Sequence, residues 1–198
     1  MPKLWNETIE SHRHAVRDAI LETTWKLVDE QGLLSVTMTQ VAEGAGIGRA
    51  TLYKYFPDVE SILRVQHQRH VEAHLEELIE HAAGPGTATE RLESLLAHYA
   101  RICHFRARHG SADLSALLHR DPEVTIAEEQ IRALLTRVID EVVADGAVRA
   151  DIAASEIADY CLHALSAAAK ASDETAVNRL VALTMRSLSP DAGASQFS

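Results

Sequence analysis

A chain of 198 residues, 46% of them hydrophobic, is long enough to bury a sizeable core, and since no apolar run approaches the roughly 20 residues of a bilayer span it is not expected to enter a membrane. A net charge of −10 excludes a general nucleic-acid coat, which needs a broad basic face, so any contact with nucleic acid must be local. Glu7, Glu10, His12 and Arg13 stand where a signal peptide would be apolar, and Cys103 and Cys161 have no paired spacing, so a cytoplasmic protein with reduced core thiols is expected.

Turn signals divide the sequence into about nine helical segments with no alternating β-branched runs, which predicts an all-α fold. The first runs from about His12 to Gln31 with Val16, Ile20, Thr23 and Leu27 on one face, and stops at Gly32. Thr37 and Gln40 have the spacing of a reciprocal capping box, so a short helix begins at Met38. It ends by Ala45 because Gly44 and Gly46 weaken it; Ile47 plugs the turn and Gly48 caps a second short helix, Arg49 to Tyr55, halted before Pro57. Asp58 caps a long helix to about His81, which the Gly84-Pro85-Gly86 break follows. Thr87 and Glu90 form another capping box for a helix through about Arg108, and a shorter piece covers about Ser111 to His119. Asp121-Pro122 starts a helix that runs to Gly146, and the last two lie near Ala154 to Ala171 and Glu174 to Leu188. The expected organisation is a head at 1–57, a body at 58–189 and a disordered tail at 190–198.

Two short helices joined by a glycine turn and preceded by a long helix form a helix-turn-helix, the arrangement that presents its second helix to a DNA major groove. Residues 1–60 hold six basic and nine acidic side chains, net −3, yet Gly44 to Pro57 contains no carboxylate and does contain Arg49, Lys54 and two tyrosines. Arg49 and Lys54 offer charge-assisted contacts to phosphate or guanine, Thr51 a hydroxyl, and Tyr53 and Tyr55 phenols, while Leu52 and Phe56 face inward. The stretch TMTQVAEGAGIGRATLYKYFPDVESIL closely resembles the DNA-binding signature of TetR-family transcriptional repressors over about residues 12–65. The resemblance implies that Thr37 caps the bracing helix, that Thr39 and Gln40 contact DNA from its first turn, and that Gly48, Arg49, Ala50, Thr51, Tyr53, Lys54 and Tyr55 face the groove or its phosphate walls. Two positions depart from the pattern: Gly48 replaces a frequent serine, and Val59 a frequent lysine, so Arg13, Arg17 or Lys26 is expected to share the phosphate contacts.

The resemblance further implies a helical body that binds a small-molecule effector and pairs with a second copy, giving a ligand-released repressor on a palindromic operator. Tyr99, Cys103, Phe105, Leu114, Leu118, Leu135, Tyr160 and Leu165 are candidates for the effector pocket, although such residues are more often plain core. The small side chains of Ala164, Ala167, Ala168 and Ala171, with Val177, Leu180, Val181, Leu183 and Leu188 on the next helix, are the candidate dimer face. The competing reading is that this pair closes the monomer's own core. His67, His70 and His74 share a helical face and suggest a metal-responsive regulator, but no acidic or thiol partner is evident beside them, so no metal or cofactor is expected. A DNA-binding protein without an effector is a further alternative, and no catalytic motif points to an enzyme.

Overall fold

The computed structural model describes residues 2–109 and 122–190, with side chains at 10–106 and 125–190. Eight α-helices and two short 3-10 turns make up the regular structure of the described residues, so the all-α expectation holds. They are α1 (Pro2–Gln31), α2 (Met38–Gly44), α3 (Arg49–Tyr55), α4 (Val59–Ala83), α5 (Ala88–His109), α6 (Pro122–Ala144), α7 (Ala154–Ser166) and α8 (Glu174–Ser187), with 3-10 turns at Leu33–Ser35 and Ala167–Lys170. The segment expected near 111–119, with Leu114 and Leu118, lies outside the described residues, as does the tail from 191. α1 starts at Pro2 rather than near His12, which suits a proline at the first helical position.

The chain separates into two compact units, and among the described residues the division falls inside α4, between His70 and Val71. The head takes the first part of α4 because Ile62 and Leu63 are fully buried with Ile20, Leu21, Val28, Val41, Leu52 and Phe56. On α1 the buried stripe is Ile20, Leu21, Thr24 and Val28, one residue on from the expected Thr23 and Leu27. Thr24 is tolerated there because its hydroxyl donates to the Ile20 carbonyl at 2.8 Å, leaving no polar group unpaired. α1 ends at Gly32 with φ 81 and ψ 153, a region that only glycine enters at low cost.

In the body α5 packs against α6, α7 and α8. Leu92, Leu95 and Leu96 of α5 are buried with Leu135, Ile139 and Val142 of α6, Ile157, Cys161 and Leu165 of α7, and Val177 and Val181 of α8. Each large side chain fully withdrawn from water contributes about 1.5–3 kcal/mol, so this layer is the main stabilising element of the unit. The caps read from the sequence at Asp58 and Thr87 are in place, and Asp121 lies outside the described residues. Thr87 N–H donates to Glu90 Oε2 at 2.8 Å while Glu90 N–H donates to Thr87 Oγ1 at 3.2 Å, and Ser61 N–H donates to Asp58 Oδ1 at 2.7 Å. Asp173 caps α8 through Ala176 N–H at 2.8 Å. No described helix is long and apolar enough to cross a membrane.

Candidate nucleic-acid interface

The helix-turn-helix is built by local chemistry at both ends of α2. Thr37 Oγ1 accepts from Gln40 N–H at 3.3 Å, and Gln40 Oε1 accepts from Thr37 N–H at 2.9 Å, so the capping box closes in both directions. At the other end Gly46 has φ 67, its N–H donates to Glu43 O at 3.1 Å, and Ile47 N–H donates to Ala42 O at 3.0 Å. This pair of bonds is the Schellman motif, which reverses the chain within three residues and turns Ile47 back onto the head core. α3 then starts at Gly48, whose carbonyl accepts from Thr51 N–H at 2.9 Å and Leu52 N–H at 3.0 Å.

On α3 the inward face is Leu52, with Phe56 beyond its end, both buried. Arg17 of α1 lies over the Phe56 ring at 5.8 Å, a cation–π contact that ties the end of α3 to α1. Arg49, Ala50, Thr51, Tyr53 and Lys54 are exposed, with Tyr53 48% accessible. The arc centres on Ala50 and Lys54, so a small residue stands between two cations and a phenol. Tyr55 departs from the expectation: it is half-buried and packs on the head core. Gln40 also differs, since its amide is occupied within the head by the cap and by Nε2 donating to Gln31 Oε1 at 3.1 Å. Thr37 is exposed but its hydroxyl donates to Gln40 Oε1, and Thr39 is half-buried. Of the expected auxiliary cations, Lys26 pairs with Glu30 at 3.9 Å, Arg17 is engaged with Phe56, and Arg13 is exposed.

The body residues sort differently from the expectation. Leu135 and Leu165 are buried in the core, whereas Phe105 and Tyr160 are about half exposed. Tyr99 and Cys103 are partly buried against the core, and burial raises both pKa values, that of Tyr99 strongly; each side chain also hydrogen-bonds the other. On the proposed dimer helices Ala168, Val177, Val181 and Leu188 are buried in the single chain, as a monomer core requires. Leu180 and Ala171 pack partly against that core and Ala164 is half-buried, which leaves Ala167 exposed. Alongside it Leu183 of α8 and Tyr160 of α7 are 59% and 48% accessible.

A second constellation crosses from α4 to α5. His74 Nδ1 lies 3.6 Å from Glu77 Oε2, and His98 Nε2 lies 2.8 Å from the same oxygen. The sequence reading grouped His74 with His67 and His70 and found no acidic partner, yet Glu77 was three residues away on the same face. His70 instead sets its ring edge-on to Trp25, with centroids 4.7 Å apart, and meets Gln66 at 3.0 Å. Burial and the neighbouring His81 hold the His98 pKa below the ordinary histidine value, while Glu77 acts in the opposite sense.

Residues 20–64 match the family model described as bacterial regulatory proteins, tetR family. Over 45 residues the chain is 42% identical to the HTH-type transcriptional regulator EthR of Mycobacterium tuberculosis, a match that covers 23% of this chain and 21% of that protein. The fold is similar to a transcriptional regulator of the TetR/AcrR family from Thermobifida fusca, with a TM-score of 0.68 at 20% identity over 91% of this chain and 98% of that one. It is similar also to AibR, solved in complex with isovaleryl coenzyme A and operator DNA, with a TM-score of 0.61 at 17% identity over 88% and 98% of the two chains.

Proposed function

We propose, on the match of residues 20–64 to the tetR family of bacterial regulatory proteins, that the chain is a transcriptional repressor that binds a palindromic DNA operator as a homodimer and is released by a small-molecule effector. One observation carries the reading: α3 turns Arg49, Ala50, Thr51, Tyr53 and Lys54 to solvent on a segment without carboxylates, in a protein of net charge −10. That is the local positive charge an acidic protein needs to approach phosphate. Arg49 and Lys54 carry the phosphate or guanine contacts, Tyr53 and Thr51 add hydroxyl contacts, and Ala50 lets the helix approach base edges closely. Thr37 and Gln40 act by holding the bracing helix, and Tyr55 by seating α3 on the core.

A twofold dimer sets two such helices in successive major grooves, about one helical turn apart. The exposed side of α7 and α8, with Tyr160, Ala167 and Leu183, is the proposed pairing face. Tyr99 and Cys103 are the best candidates to line an effector site, because they are partly buried polar groups at the edge of the core. An effector favours one set of head positions and DNA another, so each weakens the other's binding equally. AibR, with both operator DNA and a coenzyme A thioester in its structure, supports coupling of this kind.

The test is anisotropy of labelled operator fragments selected from genomic DNA. Arg49→Ala and Lys54→Ala should each lower affinity and reduce the salt slope by about 1 while leaving the circular dichroism unchanged. Unchanged binding in both variants rejects α3 as the reading element.

A further inference from the structure

We propose that His74, Glu77 and His98 form a binding site for one divalent transition-metal ion of the borderline class, zinc, nickel or cobalt. Their donor atoms all lie within 4.8 Å of one another, drawn from two helices. His74 and Glu77 are one turn apart on α4, and His98 comes to them from α5. A tetrahedral ion with bonds near 2.0–2.1 Å sets its donors about 3.4 Å apart, and the 3.6 and 2.8 Å separations from Glu77 Oε2 bracket that spacing.

The two imidazole nitrogens supply an independent observation. His74 Nδ1 and His98 Nε2 are both buried atoms beside one carboxylate oxygen: His98 Nε2 meets it at 2.8 Å, and His74 Nδ1, at 3.6 Å, is left without a hydrogen bond. Buried polar atoms in that state are uncommon, and a shared cation would satisfy both at once. A plain histidine–glutamate network leaves the two nitrogens competing for a single acceptor. Two nitrogens and one oxygen also select the metal, because magnesium and calcium favour all-oxygen shells while imidazole suits zinc and its neighbours. Glu77 is half exposed, which leaves an open side for water as a fourth ligand. His81 lies against the His98 ring with centroids 4.6 Å apart and has its own Nδ1 2.8 Å from Ser94 Oγ, so it holds the ring in place rather than competing for the ion.

This site stands apart from the DNA-binding reading and is tested without DNA. Full-length protein stripped with a chelator and then freed of it is titrated with zinc against a chromogenic competitor. One equivalent should bind; His98→Ala and Glu77→Gln should each weaken that binding tenfold or more, and His163→Ala on the exposed face of α7 should leave it unchanged. Zinc should raise the melting temperature of the wild type and magnesium should not. Circular dichroism checks folding, and if His98→Ala fails to fold, Glu77→Gln on its half-exposed side chain carries the comparison. Binding of less than one equivalent, or equal zinc affinity in Glu77→Gln and wild type, overturns the proposal.

Discussion

Gly44 shows how little room the head leaves at its tightest point. A Cβ added there would sit 2.6 Å from Thr23 Cγ2, a short branched side chain with few ways to retreat. Gly44→Ala gains up to about 1 kcal/mol of helix propensity but incurs about 1–3 kcal/mol of overpacking, so a net loss of stability is expected in urea denaturation. Adding Thr23→Ala to that variant should recover part of the loss, which a purely conformational effect at Gly44 would not allow. At Thr37 the expected cost of alanine is about 1 kcal/mol, through the lost cap on α2, with a comparable fall in stability but no change in the salt slope of DNA binding. Residue-scale errors in the sequence reading have definite causes. Thr24 entered the core in place of Thr23 because its hydroxyl found the carbonyl four residues back, a choice that hydrophobic spacing alone does not encode. At Gln40, a position the resemblance assigns to DNA contact, the amide makes three hydrogen bonds within the head that the capping spacing only partly foretells.

Element boundaries were legible wherever a cap is local. Thr37, Asp58, Thr87 and Asp173 start helices because each side chain meets a backbone amide three residues ahead, and that relation is written in adjacent sequence. The Schellman turn at Gly46 recurs after α6, where Gly146 has φ 73 and Ala147 N–H donates to Val142 O at 3.2 Å. What joins one element to another was not legible, because the partners are distant in sequence. Examples are Arg132 of α6 gripping Asp159 of α7 at 2.6 and 2.9 Å, Arg91 of α5 paired with Glu141 of α6, and His98 meeting Glu77. Helix capping also gives a pH prediction. The amide of Ala176 and the hydroxyl of Ser172 hold the Asp173 carboxyl below its ordinary value of 3.8, so its contribution to α8 is complete above that value and is lost as pH falls through the lower folded value. Acid titration of stability should therefore be shallower below pH about 4 in Asp173→Asn, which still accepts a hydrogen bond at all pH values. An identical acid profile in wild type and variant would remove Asp173 as a contributor.

For the molecule as a whole, the proposed pairing of two copies is the property that composition could not reveal, since apolar residues on α7 and α8 can serve either a monomer core or an interface. Burial separates the two uses: Val177, Val181 and Leu188 close the core, and Tyr160, Ala167 and Leu183 remain outside it. Leu183→Glu is expected to shift sedimentation from dimer to monomer with little loss of monomer stability, whereas Val181→Glu should unfold the body by burying an unpaired charge. Retention of the dimer in Leu183→Glu would move the interface elsewhere. The two cysteines offer a way to follow such events. Cys161 is fully buried, and burial pushes its thiol up to about 12, whereas Cys103 is only partly covered. An alkylating reagent at neutral pH thus finds Cys103 first and reaches Cys161 when the α5–α8 layer breathes, so the half-life of that second modification acts as a clock for opening, slowed by any small molecule that binds only the closed layer.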